Sequence, residues 1–231
     1  MESDLRSIKK NLASVYLVNA VNGVLGLIFV PVAVSLLGIS GYGLFSIYAV
    51  MASYVALIDL GVTKNFVLLL TSDKKISERK GHLQTAFGIY IALSVLLLLM
   101  LPLLLFLIPK YIFSVPAPDV SALRWIIAFS VIEYVLAIPT AMTQMSCVAD
   151  EKFERYSLFT FASGMYRYAL LFIGIAVFGT PAAVVGLVVS RRFIDIFVSR
   201  WLMGALPLES FRPRFKPREM RRIIGRSSTL S

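Results

Sequence analysis

One cysteine and one histidine are all the chain has of either residue. A lone Cys147 excludes an internal disulfide. A lone His82, at the edge of an apolar stretch, leaves almost no room for histidine-based metal or acid–base chemistry. The phosphate-cradling GxxxxGKS/T loop does not occur, so the chain has no ATPase signature of its own. Charge is scarce as well: 16% of residues, against roughly 25% in an average soluble domain. The polar connections are too short to house a catalytic domain, and none carries a cluster of metal-binding carboxylates. No enzymatic activity, metal or cofactor is expected.

Apolar residues fill the space, at 58% of the chain. They run in blocks of about twenty, the length that crosses a bilayer. The blocks are apolar all round rather than on one stripe, which excludes an ordinary soluble bundle. Six spans are predicted, over residues 12–37, 44–70, 83–108, 121–148, 157–178 and 182–203. Gly38, Gly41 and Gly43 separate the first two, and Gly179, Thr180 and Pro181 form a tight turn between the last two. The expected organisation is an N-terminal segment 1–11, a six-helix lobe 12–206 and a basic tail 207–231. The third span is nearly pure Leu, Ile and Val from Ile89 to Ile108, so it belongs at the periphery with lipid on every side.

The net charge of +10 lies mostly in the connections. Lys and Arg in alternate connections number sixteen against two, which puts both termini in the cytoplasm and agrees with an even number of spans. That distribution explains the basic excess without nucleic acid. The N-terminus carries Glu2 and Asp4 ahead of a long apolar stretch, so no cleavable signal peptide is expected.

Eight charges fall inside the apolar blocks: Asp59, Lys64, Glu133, Arg167, Arg191, Arg192, Asp195 and Arg200. A charge at membrane depth costs several kcal/mol unless it lines a polar cavity or finds a partner. Five are basic and three acidic, so the set is cationic and suits an anionic passenger. In the sixth span Arg191, Arg192, Asp195 and Ser199 share an arc of about 100°. Asp195 can pair with Arg191 or Arg192 but not fully with both, which leaves one guanidinium for a phosphate or carboxylate, or for a carboxylate on another helix. Glu133 and Arg167 lie mid-span on consecutive helices and are expected to face each other, as a structural ion pair or as a proton-responsive one. Asp59 precedes Gly61 and can serve freed backbone groups or a coupling cation. Lys64 and Arg200 lie near span ends, where snorkelling accounts for them. In the first span Asn19, Asn22, Gly23 and Gly26 share one stripe. It is either a packing seam or a lumen lining.

Three segments carry a family resemblance: Leu36-Leu37-Gly38, Gly41-Tyr42-Gly43-Leu44-Phe45-Ser46 and Leu57-Ile58-Asp59-Leu60-Gly61-Val62. They resemble the start of polysaccharide flippases, the O-antigen and lipid-linked oligosaccharide translocases of the multidrug/oligosaccharidyl-lipid/polysaccharide exporter superfamily. The match is motif by motif over the first 65 or so residues, carried by Asp59, Gly41, Gly43 and Gly61. The resemblance implies an all-α integral membrane protein of the bacterial inner membrane, one six-helix lobe of a fold with twelve or more helices. It implies ion-coupled alternating access for undecaprenyl-pyrophosphate-linked oligosaccharide. On that reading Arg191, Arg192, Arg167, Asn19 and Asn22 contact the substrate, and Asp59, Glu133 and Asp195 answer the coupling ion. The chain ends where a seventh helix is expected, so a missing C-terminal half or a homodimer would complete the cavity. The alternatives are a drug exporter of the same superfamily, whose cationic substrates sit poorly beside surplus arginines, and a non-transporting scaffold of a polysaccharide-synthesis complex. An embedded transferase is a fourth, remoter reading.

Overall fold

The computed structural model describes residues 2–58, 62–72, 76–113, 116–204 and 206–214, with side chains described from residue 15 to 53, 63 to 72, 78 to 113, 116 to 204 and 206 to 214. These residues are almost all helical, with no strand among them. The helices are α1 (Glu2–Ile58), α2 (Val62–Ser72), α3 (Ile76–Leu107), α4 (Val120–Ala149), α5 (Phe153–Phe178) and α6 (Pro181–Met203). A π-turn (Ile108–Ile112) and a 3-10 turn (Ala117–Asp119) join α3 to α4, and a last 3-10 turn (Leu208–Phe211) follows α6.

Among the described residues, four segments are long and apolar enough to cross a membrane: Val15–Ser53, Glu78–Ile112, Ala117–Ala149 and Phe153–Phe178. Large apolar side chains cover the outside, among them Leu27, Leu99, Phe197 and Trp201, each more than 70% exposed. A soluble monomer rarely shows so much continuous apolar surface, so the chain is read as a multi-pass membrane protein.

Although α1 is helical on both sides of Gly38, it does not run straight through it. Gly38 alone leaves the helical region, at φ 73° and ψ 171°, where a Cβ would strain the backbone. Phe29 and Phe45 show the consequence. On one straight helix their sixteen-residue separation would place them about 24 Å apart. Their ring centroids are 5.2 Å apart. The chain therefore folds back at Gly38, and two arms, 2–37 and 39–58, pack on each other. The glycine-rich break foreseen over three glycines contracts to this single residue. Gly41 and Gly43 stay helical, and a Cβ on Gly41 would meet Pro181 Cγ of α6 at 3.6 Å.

The α5–α6 turn is built as its sequence suggests. Gly179 takes the left-handed position after α5 (φ 62°) and donates its N–H to Ile175 O; Thr180 is extended, and Pro181 opens α6.

Packing is organised around α4. Its upper half joins both arms of α1, α5 and α6 in one apolar core, which includes Phe29, Phe45, Ile126, Leu171 and Val188. Its lower half joins α2 and α3 in a second core, which includes Phe66, Leu83, Tyr90, Met142 and Met145. The third predicted span does lie at the edge, with Val95, Leu96, Leu99 and Phe106 exposed. It does not face lipid on every side: Leu83, Ala86, Ile89, Tyr90 and Leu97 are buried against its neighbours.

At the predicted cytoplasmic end an ionic lattice ties the helices together. Arg79 of α3 pairs with Asp150 at 2.6 Å and donates to Ser146 Oγ at 2.8 Å, and Lys152 pairs with Asp150 at 2.9 Å. Burial alone would push the Asp150 carboxyl up. The hydrogen bonds from Lys152 and Arg79, with their charges, hold it below its ordinary range.

Candidate functional site

The two cores meet at a polar cluster. Glu133 lies thirteen residues from the start of α4 and sixteen from its end, roughly 20 and 24 Å along the axis. Arg191 is ten and twelve residues from the ends of α6. Both are central in their helices and buried.

Glu133 is the hub. Its Oε2 accepts a 2.5 Å hydrogen bond from Tyr48 Oη of α1. Its Oε1 accepts from Arg192 Nη2 at 2.7 Å and Nε at 3.0 Å, and from Arg191 Nη2 at 3.3 Å. Asp195 is the second acid. Its Oδ2 accepts from Arg191 Nη1 at 3.3 Å and Arg192 Nη1 at 3.4 Å, and its Oδ1 from Ser163 Oγ at 2.9 Å. Ser163 Oγ in turn accepts from Arg191 Nη1 at 3.0 Å. Four helices thus contribute: α1 through Tyr48, α4 through Glu133, α5 through Ser163, and α6 through both arginines and Asp195.

This network corrects the sequence-based pairing. Glu133 was expected opposite Arg167, with one of Arg191 and Arg192 left over. Instead Glu133 takes both α6 arginines, and Asp195 is shared between them at longer range. Helix α6 packs against α4 and turns the Arg191–Asp195 face onto Glu133, so the carboxylate meets two guanidiniums at its own depth.

The arginine left over is Arg167. Its position on α5, one turn past Ser163, puts it beside the network, close enough to act electrostatically on Tyr48 and Glu133. Among the described residues it makes no ion pair, and its buried Nε has no hydrogen-bond partner. Among the described residues three guanidiniums face two carboxylates, one positive charge in excess.

The other predicted site residues are dispersed. Asn22 is in the α1–α5 seam: a Cβ on Gly164 would come within 2.3 Å of Asn22 Oδ1. Gly26 lies in the same seam, where its Cβ would meet Tyr168 Oη at 3.0 Å. The stripe is therefore a packing seam at those two positions. Asn19 and Gly23 are exposed, and nothing lies within 4 Å of a Cβ on Gly23. Lys64 and Arg200 are exposed. Asp59, with Gly61, lies outside the described residues.

Two members of the network were missed from sequence, Tyr48 and Ser163. A tyrosine hydroxyl inside an apolar span needs a partner when it is buried, which was a usable signal for Tyr48. Ser163, four residues before Arg167, shares its face of α5, which was the signal there.

A cavity of about 180 Å³ is lined by Ser40, Gly43, Leu44, Ile47, Phe113, Pro116 and Asp119. Asp119 is fourteen residues from Glu133, roughly 21 Å along the helix direction, while Ile47, also in the lining, directly precedes Tyr48.

The chain matches no protein-family model, no curated protein and no solved structure. What the cluster does must be argued from its own chemistry. Glu133, itself anchored by Tyr48, and Asp195 hold two arginines, and among the described residues a third, Arg167, has a buried Nε with no partner. A guanidinium with free donors in a low-dielectric site binds phosphate or carboxylate oxygens. Protonation of either acid would release the arginines it holds.

Proposed function

We propose that the chain is a six-span membrane lobe that translocates an anionic lipid-linked oligosaccharide, an undecaprenyl-pyrophosphate glycan, across the bacterial inner membrane. The six crossings are the two arms of α1, the second counted together with α2, then α3, α4, α5 and α6. Helix α6 is included despite its charges because Arg191, Arg192 and Asp195 are partnered inside the bundle and Arg200 lies near the helix end. Both termini are assigned to the cytoplasm on the distribution of Lys and Arg.

Arg167 is the observation that carries this reading. It is a mid-helix cation beside the ion-pair network and, among the described residues, it has no carboxylate of its own. A pyrophosphate headgroup would supply the missing anion. Glu133 and Asp195 are the groups whose protonation or cation binding would loosen the α6 arginines and change which side the site faces. A second lobe, from another copy or another chain, would close the far wall of the cavity.

The test is a flipping assay in proteoliposomes with a fluorescent short-chain isoprenyl-pyrophosphate glycan. Wild-type protein is expected to expose the probe across the bilayer faster than protein-free vesicles, Arg167→Gln to lose that gain, and Arg167→Lys to keep part of it. A wild-type rate equal to that of empty vesicles removes the transport reading.

The same network favours a second reading. Among the described residues, every hydrogen bond of the Arg191 and Arg192 guanidiniums goes to a carboxylate or a serine of this chain, with Arg191 Nε alone left without a partner. That is the expected state of a structural lock in a non-transporting scaffold of a polysaccharide-synthesis complex. In that case the flipping assay reads background, while the chain still co-purifies with the synthesis machinery.

A further inference from the structure

After α6 the chain crosses back to α3 and is pinned there. Arg214 N–H donates to Gln84 O at 3.1 Å, and Gln84 Nε2 donates to Glu209 O at 2.9 Å. Phe211 meets Phe87 edge-on at a centroid distance of 5.6 Å, Ser210 is buried, and Lys80 pairs with Glu209. Gly88 completes the seat, since a Cβ there would be 3.0 Å from Arg214 O. Residues 207–214 therefore form a fixed strap across α3.

The strap lies where α3 changes character. The charged turn Glu78–Arg79–Lys80–Gly81–His82 ends just before Gln84, and the apolar run begins at Ala86 and Phe87. That is the depth of lipid headgroups. Pro207, Leu208, Glu209, Arg212, Pro213 and Arg214 of the strap are exposed, Leu208 by 76%. Arg212 is extended (φ −92°, ψ 116°), and in extended chain residues i and i+2 point the same way. Lys80 neutralises Glu209, and Arg79 is taken by Asp150. The two strap arginines are thus the local excess. On α3 itself, the acid Glu78 stands about 15 Å further out than Gly88.

We propose that this strap is an interfacial recognition element for anionic phospholipid headgroups. Leu208 enters the acyl boundary, and Arg212 and Arg214 hold one phosphodiester from the same side. The pinned backbone supplies the preorganisation, because neither arginine must order a free tail to bind.

Protein purified in detergent is titrated with phosphatidylglycerol or phosphatidylcholine, and bound lipids are counted by native mass spectrometry. Each basic residue near an anionic surface contributes about fivefold, so Arg212→Gln/Arg214→Gln should weaken phosphatidylglycerol binding roughly thirtyfold. Phosphatidylcholine should bind weakly to both proteins. The basic residues of 216–226 remain in both, so the comparison isolates the strap pair. Arg212→Lys/Arg214→Lys should keep most of the affinity, and Arg124→Gln, an exposed arginine at the opposite end of the bundle, should change nothing. Equal binding of the two lipids by wild type overturns the assignment. So does loss in both double variants, loss in neither, or an equal loss with Arg124→Gln.

Discussion

Replacing Glu133 by glutamine should be the most destructive single change in the cluster. The variant keeps the side chain's shape and removes the charge that Arg191 and Arg192 share at 3.3 and 2.7 Å. Three guanidiniums would then face Asp195 alone. Breaking a buried ion pair by removing one partner costs about 3–5 kcal/mol, because the other charge stays buried and uncompensated. At about 2–4 °C per kcal/mol for a chain of this size, the midpoint of thermal unfolding should fall by roughly 6–20 °C. Tyr48→Phe deletes one hydrogen bond to a charged acceptor, about 1.5–3 kcal/mol, and should fall between Glu133→Gln and wild type. Arg167→Gln breaks no pair and should stay within about 1 kcal/mol of wild type. Adding Arg192→Gln to Glu133→Gln removes both sides of the tightest pair, so the double variant should recover part of the loss. The assay is the unfolding midpoint of each protein in one detergent, followed by intrinsic tryptophan fluorescence. If Glu133→Gln and Arg167→Gln are equally mild, or if the double variant is simply additive, the hub assignment is wrong.

Three further outcomes follow from the same geometry. The Asp150 carboxyl is held below its ordinary range, so its pairing with Arg79 and Lys152 contributes stability above the unfolded value of about 3.9 and loses it as pH falls through the lower folded value; the midpoint difference between wild type and Asp150→Asn should be constant from about pH 5 to 7 and vanish at strongly acid pH, with a size under about 1 kcal/mol because the pair is partly exposed. Gly164→Ala should destabilise by about 1–3 kcal/mol because its Cβ would come within 2.3 Å of Asn22 Oδ1, and Asn22→Ala in the same chain should relieve the clash. Gly23→Ala, with nothing within 4 Å of the new methyl, should be neutral or stabilising by up to about 1 kcal/mol in the same unfolding assay.

Much of the fold was legible because it follows from apolar length and punctuation. Helices α4, α5 and α6 begin and end within a few residues of the predicted spans, since Gly179-Thr180-Pro181 and the polar turn at Asp150 stop the helices in any context. The reversal at Gly38 was legible in place but not in form, because three glycines in six residues do not say which one leaves the helical region. Helical periodicity put Arg191, Arg192 and Asp195 on one face, and the structure keeps them there. What periodicity could not give was rotation between helices. Glu133 and Arg167 have matching depth on adjacent helices, but depth does not fix which way a helix faces, and α6 rather than α5 turns its charges onto Glu133. The stripe of Asn22 and Gly26 shows the same limit: small and polar residues at helical spacing suit a seam or a lumen equally well, and only the α5 neighbour at Gly164 decides it.

The most direct measurement is equilibrium binding of a short-chain isoprenyl pyrophosphate to the protein in nanodiscs, read alongside thermal stability. The account predicts that Arg167→Gln weakens binding at least tenfold while its unfolding midpoint stays near that of wild type. Binding unchanged in Arg167→Gln, or lost only in step with stability, would contradict the claim that Arg167 is the cation left free for an anionic passenger.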